Sequence, residues 1–290
     1  MKIVNIIGGL GNQMFQYAFA VALQKMFPQE EIRVFTGAFR GYGLHNGYEV
    51  ERIFGARFAK ASVMDAARVY WPIFNYRCWQ VANRLLPARR GVREDSMTPI
   101  GEEDMRRAEF FDGYFQRSWL FADARKAILE TFRFPELTGD ENRKALEFIC
   151  QGPTVAIHVR RGDYLKDQQR SSICSPAYYS KAIAYVKERV EGARFLVFSD
   201  DIEWCKATFR DELAGSDAMY VNWNLGEESY RDMQLMSLCN HNIIANSSFS
   251  WWGAWLNRHE DKIVVCPERW YAYSKGNDEA PEEWVKISGE

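Results

Sequence analysis

The chain has 290 residues, 47% of them apolar, which is enough to fill two compact lobes and too apolar for disorder. Its 37 Lys and Arg offset 39 Asp and Glu to a net charge of −2, well mixed along the sequence. That balance argues against a nucleic-acid binder with its basic excess, while local clusters can still bind a phosphate. The six cysteines are scattered, with no CxxC pair or Cys/His cluster, so no zinc site is expected. No apolar run approaches bilayer-spanning length and no export signal is visible, so the expected setting is the cytoplasm, with reduced thiols. Aromatic residues reach 15%. Most belong in the core, but such rings also stack on sugars and bases.

The first half opens with a strand, "KIVNII" from Lys2 to Ile7, then the glycine run "GGLGNQMFQYAFA", then a helix from Met14 to Phe27. A second strand from Ile32 to Phe35 completes a βαβ start. The glycine run is not a dinucleotide fingerprint, because position 14, where a third glycine should stand, is Met. A Gly-, Tyr- and Asn-rich stretch from Thr36 to Val50 reads as a long exposed loop, followed by helices to about residue 95. The basic, aromatic segment from Tyr70 to Arg93 reads either as a packed helix with solvated arginines or as a surface resting peripherally on the inner membrane. "FFDGYFQRSWLF", from Phe110 to Phe121, is an apolar run broken at Asp112-Gly113.

The second half is more regular. Strands are expected at Thr154–Val159, Arg194–Ser199, Ala218–Trp223, Asn242–Ala245 and Lys262–Pro267, separated by helices. One helix starts with Ser175 as N-cap and Pro176 at its first position. Buried strands alternating with helices call for a parallel sheet covered on both faces, an α/β Rossmann-like domain. The boundary falls at the Gly-Pro step 152–153, giving an N-terminal lobe over 1–152 and a C-terminal lobe over 153–290.

In such a sheet, ligands bind beyond the carboxyl ends of the strands. After the first strand of the second half comes "HVRRGDY", with His158 and Arg160 on one face, then Arg161 and Asp163. After the second comes "SDD", in which Asp200 and Asp201 could cap a helix, ligate a divalent metal or pair with a base edge such as guanine. After the fourth comes "NSSFS", Asn246, Ser247, Ser248, Phe249 and Ser250, at a helix start suited to capping or to an anion. Together these read as a nucleotide-diphosphate site built on arginine, because no P-loop motif occurs.

At "GGLGNQMFQYAFA", "DGYFQ", "HVRRGDY" and "NSSFSWWGAWLN", in this order from residue 8 to 257, the sequence resembles the α-1,2-fucosyltransferase family. The resemblance implies a GT-B-like fold with an interlobe cleft, an acceptor-side first lobe and a GDP-fucose-binding second lobe. It implies inverting transfer of L-fucose from GDP-β-L-fucose to the 2-hydroxyl of a terminal galactose, in O-antigen-type surface polysaccharide. By that resemblance Arg160 holds the β-phosphate with His158 and Arg161 beside it, and Asp200 reads guanine. The 246–249 turn holds phosphate and base, and Gly11 and Asn12 approach the donor. Asn12 and Asp163 join Arg160 in the catalytic group, and His45, Tyr114 and Gln116 fall on the acceptor side. No general base is assigned: Asp163 could instead brace the arginine turn, and His45 is the other candidate. No cofactor and no metal are expected, since guanidinium groups and helix amides can take up the leaving-group charge. The alternatives are a fucosyltransferase with another acceptor, a non-catalytic glycan-binding module and a nucleotide-sugar epimerase or dehydrogenase. The last would need a glycine fingerprint and a Tyr-x-x-x-Lys pair, and "YYSK" has the wrong spacing.

Overall fold

The computed structural model describes residues 1–95, 97–162 and 164–290. The chain divides into two compact units, Met1–Pro135 and Glu136–Glu290.

The first unit runs β1 (Lys2–Asn5), α1 (Leu10–Met26), β2 (Ile32–Phe35), α2 (Val50–Phe54), β3 (Ala59–Lys60), α3 (Val63–Val69), α4 (Tyr76–Leu85), β4 (Gly91–Arg93), α5 (Glu102–Arg107), β5 (Phe110–Asp112) and α6 (Arg125–Thr131). Its five strands lie in the order β3-β2-β1-β5-β4, and every pairing is parallel. Helix α1 begins at Leu10, four residues before the expected Met14, with Gly9 as its extended N-cap. The glycine run is thus a tight strand-to-helix turn, and Gly11 already lies inside the helix. The 36–50 stretch is exposed only in its middle: Ala38, Glu49 and Val50 are buried.

The turn after β5 is built on one carboxylate. Glu94 accepts from the backbone N–H of Tyr114 (3.2 Å) and Phe115 (3.0 Å) and from the Arg117 guanidinium (2.9 Å). Glu94 and Arg117 are both buried. Phe115 is held at φ 51°, a left-handed conformation unusual for an aromatic residue. Its ring stacks on Phe19 of α1 with centroids 4.2 Å apart. Desolvation pushes the Glu94 carboxyl up, and the amides and Arg117 oppose it.

The second unit runs α7 (Asp140–Cys150), β6 (Thr154–Val159), α8 (Pro176–Lys187), β7 (Arg194–Ser199), α9 (Ile202–Thr208), β8 (Ala218–Val221), α10 (Tyr230–Leu238), β9 (His241–Ile243), α11 (Ser248–Leu256), β10 (Val264–Pro267) and β11 (Val285–Ile287). The six strands form one parallel sheet in the order β11-β10-β9-β6-β7-β8. Strand β6 is buried along its whole length, the reason it reads as an unbroken apolar run. Strand β11 was not expected, because it is short, partly exposed and carries Lys286 on the sheet edge. Trp251 and Trp252 of α11 are fully buried, and Trp251 packs on Trp255 and Trp284 with centroids 6.0 and 5.4 Å away. These tryptophans belong to the core.

The boundary lies at 135–136 rather than 152–153, because α7 packs with the second unit. Ala145 and Ile149 join the cluster that holds Ala156 and Leu196. A closed amide network fixes the same helix: Asn142 Nδ2 donates to Asn224 Oδ1 (2.9 Å), and Asn142 Oδ1 accepts from Trp223 Nε1 (2.8 Å) and Asn224 Nδ2 (2.9 Å). Asn224 Nδ2 also donates to the Asp232 carboxyl at 2.8 Å. Burial pushes Asp232 up to about 7, against the pull of Asn224.

Two outcomes follow from these buried carboxyls. Asp232 binds its proton more tightly in the folded chain than in the unfolded one, so its contribution is fully present below about pH 4 and is lost as pH rises to about 7. Denaturant titrations should therefore show Asp232→Asn gaining stability relative to the parent across that window and no further above it; a difference independent of pH would contradict this. Glu94→Ala leaves a buried guanidinium without its carboxylate and should cost about 3–5 kcal/mol in the same measurement. A cost under 1 kcal/mol would show that the turn does not depend on the pair.

Candidate active site

In open parallel sheets, ligand sites form where successive strands depart in opposite directions. In the first sheet this point lies between β1 and β5, since β2 and β3 build one way and β5 and β4 the other. Gly8, beyond β1, has φ 97°. A Cβ on Gly9 would lie 3.2 Å from the His45 ring, so the absent side chain is what admits the imidazole. His45 itself is exposed and sits at φ 60°.

Two buried glutamines hold this turn. Gln13 Nε2 donates to Gly8 O (2.8 Å) and Gly47 O (2.7 Å), while its Oε1 accepts from the Glu49 N–H (2.8 Å). It thus ties the loop carrying His45 to the glycine turn. Gln16 Oε1 accepts from the Ile7 N–H (3.0 Å), and its Nε2 donates to Gly113 O (2.8 Å), tying in the turn after β5. From that turn Gln116 Nε2 donates to Asn12 Oδ1 at 2.8 Å, and the Tyr114 ring approaches Gly8. The structure therefore gathers Asn12, His45, Tyr114 and Gln116 around the glycine turn, while Gly11 is buried in the first turn of α1. Gln13, Gln16, Glu94 and Arg117 were missed as supports. Polar residues three apart in an otherwise apolar helix were the available signal for the glutamines.

In the second sheet the reversal lies between β6 and β9, and β7 flanks β6 on its other side. The "HVRRGDY", "SDD" and "NSSFS" segments thus leave three adjacent strands at one edge. Arg160 Nη1 lies 3.2 Å from Asp200 Oδ2, with about a third of the Arg160 side chain exposed. Asp200 Oδ1 accepts from the Arg161 N–H at 2.9 Å. Asp201 is the N-cap of α9, accepting from the Trp204 N–H (3.2 Å), and it pairs with Arg161 Nε at 3.0 Å. The Arg161 guanidinium also lies 4.1 Å from the centroid of Trp204. Of the readings open for "SDD", capping falls to Asp201, and both aspartates in addition pair with the arginines of the neighbouring turn. Tyr164 O–H donates to Asn246 O (3.2 Å), and the Arg160 guanidinium lies 5.9 Å from the Tyr164 ring. Asp163 lies outside the described residues.

His158 is buried, and its Nδ1 has no hydrogen-bond partner among the described residues. Burial, reinforced by the Arg160 charge, pushes its pKa down to about 3, so the imidazole is neutral at ordinary pH. Its ring is 5.9 Å from that of Phe249, at the start of α11. Ser247, the N-cap of α11, accepts no capping hydrogen bond from the helix, and Ser248 and Phe249 are partly exposed. Asn246, grouped from the sequence with the ligand-binding residues, is buried, with Nδ2 donating to Trp270 O (3.0 Å) and Oδ1 accepting from Cys174 Sγ (3.4 Å). Its side chain thus ties the 246–249 turn to the scaffold. This edge therefore presents a guanidinium, a neutral imidazole and a helix N-terminus, a set suited to a diphosphate. Among the described residues, no group of three or more His, Cys, Asp or Glu side chains is placed to hold a metal ion.

The profile described as Glycosyl transferase family 11 matches residues 105–288. Over 98% of both chains the sequence is 31% identical to the Alpha-1,2-colitosyltransferase of Escherichia coli. It is 32% identical to the O-antigen biosynthesis glycosyltransferase WbnK of the same organism, over 97% of this chain and 98% of that one. The Galactoside alpha-(1,2)-fucosyltransferase 2 of Gorilla gorilla gorilla is 26% identical over 88% of this chain and 69% of its own. Among solved structures, the NodZ α-1,6-fucosyltransferase soaked with GDP-fucose covers 88% of this chain at 15% identity, with a TM-score of 0.45, a likeness too loose to bear on function. With the matching profile spanning more than half of its length, the chain belongs to glycosyltransferase family 11.

Proposed function

We propose that this glycosyltransferase moves L-fucose from GDP-β-L-fucose to the 2-hydroxyl of a terminal galactose, with inversion, during O-antigen synthesis. The observation that carries the reading is Arg160, which follows β6 at the strand-order reversal of the second sheet, β6 lying next to the strand that leads into α11. Breaking a fucosyl–phosphate bond builds negative charge on the departing GDP, and a preorganised guanidinium with helix amides stabilises it where it develops. In this reading Arg160 leaves Asp200 for the β-phosphate, with Arg161 nearby, and His158 offers a neutral ring N–H. Asp200, released from Arg160, accepts from the two adjacent N–H donors of guanine. Ser247, Ser248 and Phe249 line the phosphate and base. Of the first unit, Gly11 and Asn12 are the donor-side residues, and His45, Tyr114 and Gln116 shape the acceptor side. The charge is taken up without a metal.

The name of the Escherichia coli colitosyltransferase supports a second reading, in which the donor sugar is colitose, the 3-deoxy counterpart of L-fucose. A site that hydrogen-bonds the 3-hydroxyl rejects the deoxy sugar by roughly 10⁴–10⁵, whereas a site without such a partner discriminates weakly.

The deciding assay incubates the chain in EDTA with GDP-L-fucose or GDP-colitose and with lactose, lacto-N-biose and N-acetyllactosamine, the linkage being read by NMR. The expected result is an α-1,2 product on galactose with GDP-L-fucose, undiminished by the chelator. Product only with GDP-colitose selects the second reading, and turnover restored only by Mg²⁺ or Mn²⁺ contradicts the metal-free site. In the same assay Arg160→Ala should lower turnover by roughly 10²–10³, about 3–4 kcal/mol, with an unchanged melting curve. Arg160→Lys should fail too, because an ammonium cannot supply the planar fork. Retention of a tenth of parental turnover by Arg160→Ala would remove the leaving-group role.

A further inference from the structure

Helix α4 has one face fastened to the first unit. Trp79 Nε1 donates to both carboxylate oxygens of Asp112 (3.2 and 3.0 Å), and Asn83 Oδ1 accepts from the buried Tyr70 hydroxyl at 2.9 Å. Ala82 is buried, and Tyr76 stacks on Trp79. The opposite face carries Arg77, Val81, Arg84 and Leu85, at the three- and four-residue spacings that align on one side of a helix. Val81 is 52% and Leu85 70% exposed, and Phe74, just before the helix, is 55% exposed. No ion pair or hydrogen bond within the described residues engages the side chains of Arg77 and Arg84, both of which are exposed.

The charge around this face is one-sided. From Ala66 to Arg93 the sequence has six arginines and no Asp or Glu, in a chain whose net charge is −2. An ordinary solvated helix face mixes both signs and carries few large apolar groups. Three of those arginines, Arg89, Arg90 and Arg93, are engaged with backbone carbonyls, Glu109 and the Tyr70 hydroxyl, while Arg68 lies 3.7 Å from Asp65. The cations left to face outward are thus those interleaved with Phe74, Val81 and Leu85. We propose that this outer face of α4 docks on the surface of an anionic phospholipid bilayer, with the helix lying in the interface plane. The arginines face headgroup phosphates, and Phe74, Val81 and Leu85 enter the acyl boundary. Charge complementarity selects the occupant, because a second copy of this chain would set arginines against arginines. No helix among the described residues is long and apolar enough to cross a membrane, so this contact is peripheral.

The test is co-sedimentation of the full chain with vesicles of phosphatidylethanolamine and phosphatidylglycerol, against vesicles of phosphatidylcholine alone. Binding should appear on the anionic vesicles and weaken as salt is raised. Arg77→Gln with Arg84→Gln should lower the partition coefficient about thirtyfold, two arginines at roughly 1 kcal/mol each. Leu85→Ser should lower it several-fold without changing the salt dependence. Both variants should keep the parental circular dichroism and melting curve, which separates lost docking from lost folding. Equal partition onto neutral and anionic vesicles, binding unaffected by the arginine changes, or no binding at all would overturn the proposal. So would a salt-resistant dimer in analytical ultracentrifugation that Leu85→Ser dissolves.

Discussion

A guanidinium at the carboxyl edge of a buried parallel sheet has to be held in place while its charge stays available. Arg160 meets this requirement through Asp200, whose second oxygen accepts the Arg161 amide in the same turn. The contact is partly exposed, so solvent screens it and it adds little to stability. Its value is orientation: Asp200 fixes the direction of the cation while about a third of the Arg160 side chain stays exposed. Arg161 is restrained separately by Asp201 and Trp204. Neutral His158 near Arg160 avoids adding a buried positive charge to this edge, and its Nδ1 has no hydrogen-bond partner among the described residues.

The first unit solves a related problem with neutral groups. Three segments distant in sequence, the glycine turn, the 45–49 loop and the turn after β5, are brought together by the side-chain amides of Gln13 and Gln16. Buried amides satisfied at both ends specify one arrangement of loops more tightly than apolar packing does. The Glu94–Arg117 pair does the same for the turn that carries Tyr114 and Gln116. Positive φ at Gly8, His45 and Phe115 marks where the backbone is bent to make this gathering possible.

Much of this was legible in the residues. Buried strands such as Thr154–Val159 announce themselves as apolar runs, and the Ser175-Pro176 start of α8 follows from capping chemistry. The strand-end rule picked out Arg160, Asp200 and the Ser247–Phe249 turn, which do leave neighbouring strands at one sheet edge. What stayed hidden were pairings across long stretches of chain. Nothing local ties Glu94 to Arg117 or Asn142 to Asn224, so the buried turn and the true domain boundary were invisible. The side-chain partners of Asn246, Trp270 and Cys174, stayed hidden in the same way, because they lie outside the polar cluster in which it stands. The glycine run invited a search for a phosphate, whereas Gly8 and Gly9 make room for Asn12, Tyr114 and His45 of their own unit.

The proposed transfer depends on Arg160 receiving the charge of the departing diphosphate. A crystal structure of the chain with GDP tests this most directly. The β-phosphate is expected within hydrogen-bonding distance of the Arg160 guanidinium, beside the first amides of α11, with the Arg160–Asp200 contact opened. A diphosphate bound away from Arg160, or bridged to the protein by a cation, would contradict it.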